Sequence, residues 1–258
     1  MRTIYIFDVD NTIFSGKYQK VFPQTKKLLE TIAQHPEHLL GFATGRGPTK
    51  LDVLGDLRPL FDFEISVNGA ILATKDKILY QYPISKSDIE FVVKDSLAMG
   101  VPVGMVGYEQ EAITCMDEHV EYALHGYTAQ RPVVDPTYYV HHDVYQLWLF
   151  KKDQEALLKI ASRYPKFKPF LWHYGGIDLI YPDLSKATAL KKLKELYPDY
   201  RLIAVGDGHN DIDMLEVADI GIAMGNSGFD ELKAIATYVA PHIEEDKLFD
   251  FFKQHELI

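Results

Sequence analysis

The feature that most constrains this chain is a short apolar run that ends in charge. Thr3-Ile4-Tyr5-Ile6-Phe7 is β-branched and aromatic, and it leads directly into "DVDNT", Asp8 to Thr12. A run apolar on both faces reads as a strand buried inside a parallel sheet, which needs covering helices on both sides. A carboxylate is costly to bury unpaired, so Asp8 and Asp10 need partners. In open α/β sheets ligands lie beyond the carboxyl ends of the strands, which is where this pair stands.

The rest of the chain supplies such a sheet in two pieces. Thr25 to Ala33 carries Leu28, Leu29 and Ile32 at helical spacing. "LLGFAT" (39–44) reads as a second strand, Thr49 to Leu57 as a short helix, and "FEISVNGA" (63–70) as a third strand ending in a turn. This βαβαβ progression has a parallel sheet with right-handed crossovers as its default. From about residue 83 the texture changes to clustered histidines, many tyrosines, the strands "VYQLWLF" and "IDLIYP", and the helices "SKSDIEFVVKDSLAMG" and "DQEALLKIASRY".

After about residue 182 the first texture returns. Ser185 is placed to cap a helix with Ala189, Leu190, Leu193 and Leu196 on one face. "RLIAVGDG" and "IGIAMGNS" read as further strands. The expected fold is α/β, a doubly wound parallel sheet formed by residues 1–82 and 183–258. An α+β domain, residues 83–182, is inserted into it between Pro83 and Pro182.

A length of 258 residues accommodates both parts. A formal net charge of -10 argues against nucleic acid or an anionic membrane as partner, and leaves room for a small anion met through a metal. The single cysteine, Cys115, rules out a disulfide framework within the chain and a cysteine-rich zinc site, and fits a cytosolic thiol. Asp8 and Asp10 interrupt any apolar signal core, and no apolar stretch approaches the roughly 20 residues that span a bilayer. The expectation is a soluble, cytoplasmic protein.

Four carboxylates fall at strand ends or just beyond: Asp8, Asp10, Asp207 and Asp211. Hard oxygen ligands grouped in this way suit magnesium. "ATGR" (43–46) ends a strand with a hydroxyl and a glycine, so that Thr44 and the Gly45 amide are placed to hold phosphate oxygens. Lys186 lies in the first turn of a helix, where a cation works against the dipole and is better explained facing an anion. Taken singly, the Asp207 stretch also has a reading as Gly-Asp-Gly turn chemistry, and Lys186 one as a solvated surface lysine.

In the order DxDxT, TG, K and GDxxND, the set resembles the haloacid dehalogenase superfamily of phosphotransferases. The matching residues are Asp8, Asp10 and Thr12, then Thr44 to Arg46, Lys186, and Asp207, Asn210 and Asp211. The insertion after the third strand, "NGA" (68–70) and "AMGNS" (223–227) are similar to its Cof-like branch with a type IIB cap. Within the cap the likeness is architectural only. The chain departs from that branch at Asn11 and Ala187, where glycine is usual or frequent, and at "EEDKLFDFF" (244–252), where an acidic stretch followed by glycine is common.

The resemblance implies a magnesium-dependent phosphatase of small phosphomonoesters, sugar phosphates or phosphorylated cofactors, working through an aspartyl-phosphate. Asp8 would be the nucleophile, and Asp10 acid first and base second. Thr44, Gly45, Lys186 and Asn210 would bind the phosphoryl group. Magnesium would fall to the Asp8 carboxylate, the Asp10 main-chain carbonyl and Asp207, with Asp211 a further or water-mediated ligand. Thr12 would support the loop, and Asn210 would orient Lys186 or the metal shell, or simply cap a helix.

The cap is implied to set specificity by closing over the site. His141, His142, Trp172, His173 and Tyr174 are candidates to touch the leaving group, but each reads more readily as an ordinary strand or surface residue of the cap, and none is counted in the site. The implied partner is a small phosphorylated metabolite; oligomeric state is open. A phosphomutase of the same fold and a phospho-ligand binding protein are the alternatives. A two-component receiver fits poorly, because receivers keep their acidic pair and their phosphorylated aspartate on different strands.

Overall fold

The run Thr3–Asp8 is a fully buried strand near the middle of an eight-stranded sheet. The computed structural model describes residues 1–125, 131–172 and 174–258. By its internal contacts the chain divides into two units. One comprises Met1–Arg46, Leu51–Gln81 and Ser185–Ile258, and the other Gly47–Lys50 with Tyr82–Leu184.

In the first unit the strand order is Tyr238–Ala240, Ile220–Met224, Arg201–Gly206, Thr3–Asp8, His38–Ala43, Phe63–Ser66, Ile71–Ala73 and Ile78–Gln81. The first six are parallel, and the last two each pair antiparallel with the strand before them, a pair of strands that the sequence did not announce. After Thr3–Asp8 the chain builds outward on one side through His38–Ala43. The returning segment supplies Arg201–Gly206 on the other. The strand order therefore reverses at Thr3–Asp8, the point where open sheets leave a crevice for ligands. Register brings Phe7 opposite both Phe42 and Val205, and Asp8 opposite Ala43. Asp8, Thr44 and Asp207 thus leave three adjacent strand ends.

Alternation along Thr3–Asp8 feeds both faces. Tyr5 and Phe7 pack with Leu28, Leu29 and Ile32 of helix Pro23–Gln34 and with Phe252 of helix Leu248–Gln254. Ile4 and Ile6 pack with Leu190 and Leu193 of helix Lys186–Leu196 and with Met214 of helix Ile212–Val217. Each such side chain contributes about 1.5–3 kcal/mol by leaving water, so the central strand is strongly fixed.

Two local expectations are corrected. Leu196 is 53% exposed at the last position of its helix, and Tyr197 covers the sheet instead, edge-on to Phe63 at 5.2 Å. Thr49 to Leu57 is not one α-helix: two 3-10 segments, Pro48–Lys50 and Asp52–Leu60, occupy it, and Gly55 at φ 49° breaks the second.

The second unit holds a six-stranded sheet in the order Val133–Val134, Glu111–Ile113, Val103–Val106, Gln146–Phe150, Gly176–Ile180, Lys168–Leu171. Val92 and Val93 of helix Lys86–Ala98 and Leu157 of helix Gln154–Ala161 pack with Val103, Met105, Leu147, Leu149, Ile177 and Leu179. The Gly47–Lys50 segment is tied in by Glu111, which accepts from Thr49 Oγ1 at 2.9 Å and lies 3.1 Å from Lys50 Nζ. The fold is therefore α/β with a parallel-rich main sheet and a separate, mainly antiparallel α+β unit. Among the described residues no helix is long and apolar enough to cross a membrane.

Candidate active site

Lys186 answers the question raised by the charged strand end. It is fully buried, and its Nζ donates to Asp8 Oδ1 at 2.5 Å and to Asp211 Oδ1 at 2.6 Å. The capping turn explains how a lysine arrives there. Ser185 stands at the N-cap in extended backbone, its amide 3.4 Å from Thr188 Oγ1, and so starts the helix with Lys186 pointing across the strand ends. Burial alone would lower the Lys186 pKa, but the attraction of Asp211 and Asp8 outweighs it and raises the value. The ammonium stays charged.

Asp211 uses both carboxyl oxygens on protein donors. Besides Lys186, it accepts the amides of Asp207 at 3.0 Å and Gly208 at 2.8 Å, and so folds the "GDG" turn onto the lysine. Asp207 Oδ1 faces the Thr12 hydroxyl at 3.4 Å, a long contact that links the first loop to the fourth motif. Burial, followed by the Asp211 charge, pushes the Asp207 carboxyl up to about 6. Burial likewise pushes Asp8 up; Lys186 opposes it, while Asp211 and Asp207 add to it, and the net direction is upward.

That imbalance is a test of whether a divalent cation suits the site. Asp8, Asp207 and Asp211 each place an oxygen within 4.8 Å of the others', and Lys186 alone does not offset the burial of Asp8 and Asp207 together with the repulsion among the three. Clustered hard oxygens short of positive charge are the donor set that magnesium takes. The residues fit the group.

Asp10 stands apart from this cluster. Its carboxylate is clasped by Arg46, with Nε to Oδ2 and Nη2 to Oδ1 both at 2.8 Å, a bidentate fork. Thr44 is buried, and its hydroxyl accepts the Arg46 amide at 3.1 Å. Asn210 donates its Nδ2 to Asn68 Oδ1, at 3.0 Å. Asn11, where the sequence departs from glycine, has φ 58° and takes the left-handed turn that asparagine tolerates. Ala187 is buried.

Three residues quoted in motifs were given no role by sequence reasoning: Arg46, Asn68 and Asn226. Asn226 Nδ2 donates to the Asn11 carbonyl at 2.9 Å and faces Asp207 Oδ2 at 3.4 Å, while its Oδ1 accepts from the Ile243 amide at 3.0 Å. Their motif positions, "TGR", "NGA" and "AMGNS", were the available signal. Among the described residues, the leaving-group candidates in the second unit have separate surroundings. His142 stacks on Tyr138 at 4.3 Å, His141 and Tyr174 are exposed, and Trp172 donates to Asp178 at 2.7 Å. His173 lies outside the described residues.

The chain is similar to known proteins over its length. A model of haloacid dehalogenase-like hydrolases matches residues 5–252. YkrA of Bacillus subtilis (strain 168) is 29% identical over 246 residues, 94% of this chain and 93% of that protein. YitU of the same organism, a 5-amino-6-(5-phospho-D-ribitylamino)uracil phosphatase, is 42% identical over 86 residues, 33% of this chain and 31% of its own. The solved structure of BT1666 from Bacteroides thetaiotaomicron, described among phosphatases of this superfamily, superposes with a TM-score of 0.83 at 25% identity, covering 100% of this chain and 96% of that one. With the family model spanning nearly the whole chain and the four motifs meeting at one sheet end, the chain belongs to the haloacid dehalogenase-like hydrolases, in their Cof-like branch.

Proposed function

We propose that this Cof-like phosphatase hydrolyses small phosphomonoesters with magnesium, through an aspartyl-phosphate on Asp8. The observation that carries the reading is the Asp8 carboxylate, held by Lys186 at 2.5 Å on the end of the central strand. Magnesium, held by Asp8 and Asp207 with the Asp10 carbonyl, would supply the positive charge that lets an anionic nucleophile meet an anionic ester. Asp211 acts through Lys186 and the "GDG" turn.

In the first half-reaction an Asp8 oxygen attacks phosphorus, the ester P–O bond breaks, and Asp10 gives its proton to the departing alkoxide. In the second, Asp10 takes a proton from water, whose oxygen attacks the phosphorus of the acyl phosphate. Inorganic phosphate leaves and the Asp8 carboxylate is restored. Lys186, Thr44 and the Gly45 amide hold the transferring oxygens, where catalysis is mainly positioning and charge stabilisation. The Arg46 fork takes both carboxylate oxygens of Asp10. It has to loosen for the acid step.

For substrate class, the name carried by YitU puts a phosphorylated ribitylaminouracil in the test panel beside sugar phosphates and phosphorylated cofactors. Residues of the second unit are the proposed selectors among them. Phosphate release across this panel, with and without magnesium, tests the reading beside Asp8→Asn. Magnesium-dependent release that falls by at least about a thousandfold in a folded Asp8→Asn variant supports it. No release from any compound, or undiminished release by the variant, overturns it.

A further inference from the structure

The turn after strand Phe63–Ser66 has a backbone that ordinary packing does not call for. Val67 and Asn68 both stand at φ 50° and Gly69 at φ 93°. A β-branched residue in the left-handed region is a true outlier, and such conformations persist only where the surroundings over-determine them, most often at functional sites. Here they are fixed from two sides. The Val67 amide donates to the Arg46 carbonyl at 2.9 Å and the Asn68 amide to the Thr44 carbonyl at 3.0 Å. On the other side Gly69 lies so close to Ser185 that an added Cβ would fall 2.0 Å from its carbonyl oxygen. The turn is wedged between the two segments that hold phosphate in the proposed reaction, Thr44–Gly45 and Ser185–Lys186.

The strained geometry presents the Asn68 carboxamide. A Cβ on Gly45 would sit 3.2 Å from both Asn68 Oδ1 and Nδ2, so the amide rests directly over Gly45. Asn210 Nδ2 donates to Asn68 Oδ1 and fixes which way the amide faces. Among the described residues no protein group accepts Asn68 Nδ2 or the Gly45 amide. Two neighbouring donors without acceptors, at the edge of a site built for an anion with several acceptor oxygens, share a purpose. Building on the phosphatase reading, we infer that Asn68 is a phosphate-binding residue: its Nδ2 donates to a phosphoryl oxygen beside the Gly45 amide, and Asn210 holds it in that orientation.

The probe is inorganic phosphate, titrated calorimetrically into the wild-type protein with magnesium present and also used as an inhibitor of ester hydrolysis. Asn68→Gly keeps a residue at ease at φ 50° and removes the amide. Asn68→Asp keeps the shape and turns the donor into an acceptor. A hydrogen bond to an ionised oxygen is worth enough to weaken phosphate by about tenfold in Asn68→Gly, and by more in Asn68→Asp, with unfolding midpoints close to wild type. Asn210→Ala weakens it less, by loosening the orientation. If Asn68→Gly folds and binds phosphate as tightly as wild type, the inference is wrong; should it not fold, unchanged binding by Asn68→Asp decides the same way. If wild type itself neither binds phosphate nor releases it from esters, the phosphatase reading fails first.

Discussion

Lys186 shows how a single residue can be structural and chemical at once. The helix dipole argued that a cation in the first turn needs an anion, and the structure gives it two, Asp8 and Asp211. That much was legible, because a misplaced charge is a local signal. The Arg46–Asp10 fork was not legible, because it joins residues 36 apart in sequence and no spacing rule announces it. Removing one partner of a buried ionic group leaves uncompensated charge at a cost of about 3–5 kcal/mol. Lys186→Met should therefore lose stability on that scale as well as turnover, because Asp8 and Asp211 stay buried without their cation. Urea unfolding checks it: an undiminished midpoint would show that the lysine serves chemistry alone.

Among elements, the periodic ones were readable and the strained one was not. Helix Lys186–Leu196 follows from its apolar spacing apart from Leu196, whose place over the sheet goes to Tyr197. The turn Val67–Gly69 was read only as a turn, since nothing in "VNG" says that a valine will sit at positive φ. At Gly69 an alanine would meet both an unfavourable φ of 93° and the Ser185 carbonyl. Gly69→Ala should destabilise by more than about 1 kcal/mol and displace the start of the lysine helix. Paired urea melts and phosphate affinity measurements would expose a tolerant site if both stayed unchanged. In the second unit, strand Gly176–Ile180 carries Asp178, whose enclosed carboxyl is pushed up to about 7 by burial, against the donors Trp172 and Gln146. The folded state holds this proton more tightly than the unfolded chain, so stability falls as pH rises from 3.8 to about 7. Asp178→Asn keeps an acceptor for Trp172 and removes that loss. At pH 8 it should be more stable than wild type by about 1–3 kcal/mol after discounting for partial exposure, with the gap closing by pH 4. Thermal melts at the two pH values test it, and a gap that does not change with pH would contradict the assignment.

At the scale of the whole molecule, the doubly wound sheet was legible because its strands are apolar on both faces and carry their polar residues at one end. The antiparallel pair Ile71–Ala73 and Ile78–Gln81 was missed because both strands are too short for a period to emerge. The site itself brings together segments about 200 residues apart: Asp8 from one end of the chain, Asp207 and Asp211 from the other. Only the folded first unit assembles those three oxygens, so a cation bound there must stabilise it against an unfolded chain that lacks the site. One site filled a hundredfold above its Kd adds about 2.7 kcal/mol. Without the cation, Asp207 at about 6 makes the fold lose stability as pH rises from 3.8 toward that value, because the folded state prefers the proton. Two outcomes follow for thermal melts at pH 7.5. Magnesium should raise the midpoint of wild type and leave Asp207→Asn nearly unmoved. In chelator Asp207→Asn should be the more stable protein, because a carboxylate that is penalised by burial and then by the Asp211 charge is gone. Equal magnesium shifts in both proteins would place the ion elsewhere on this acidic surface, and a wild type no less stable than Asp207→Asn in chelator would mean that Asp207 carries no such penalty for a cation to relieve.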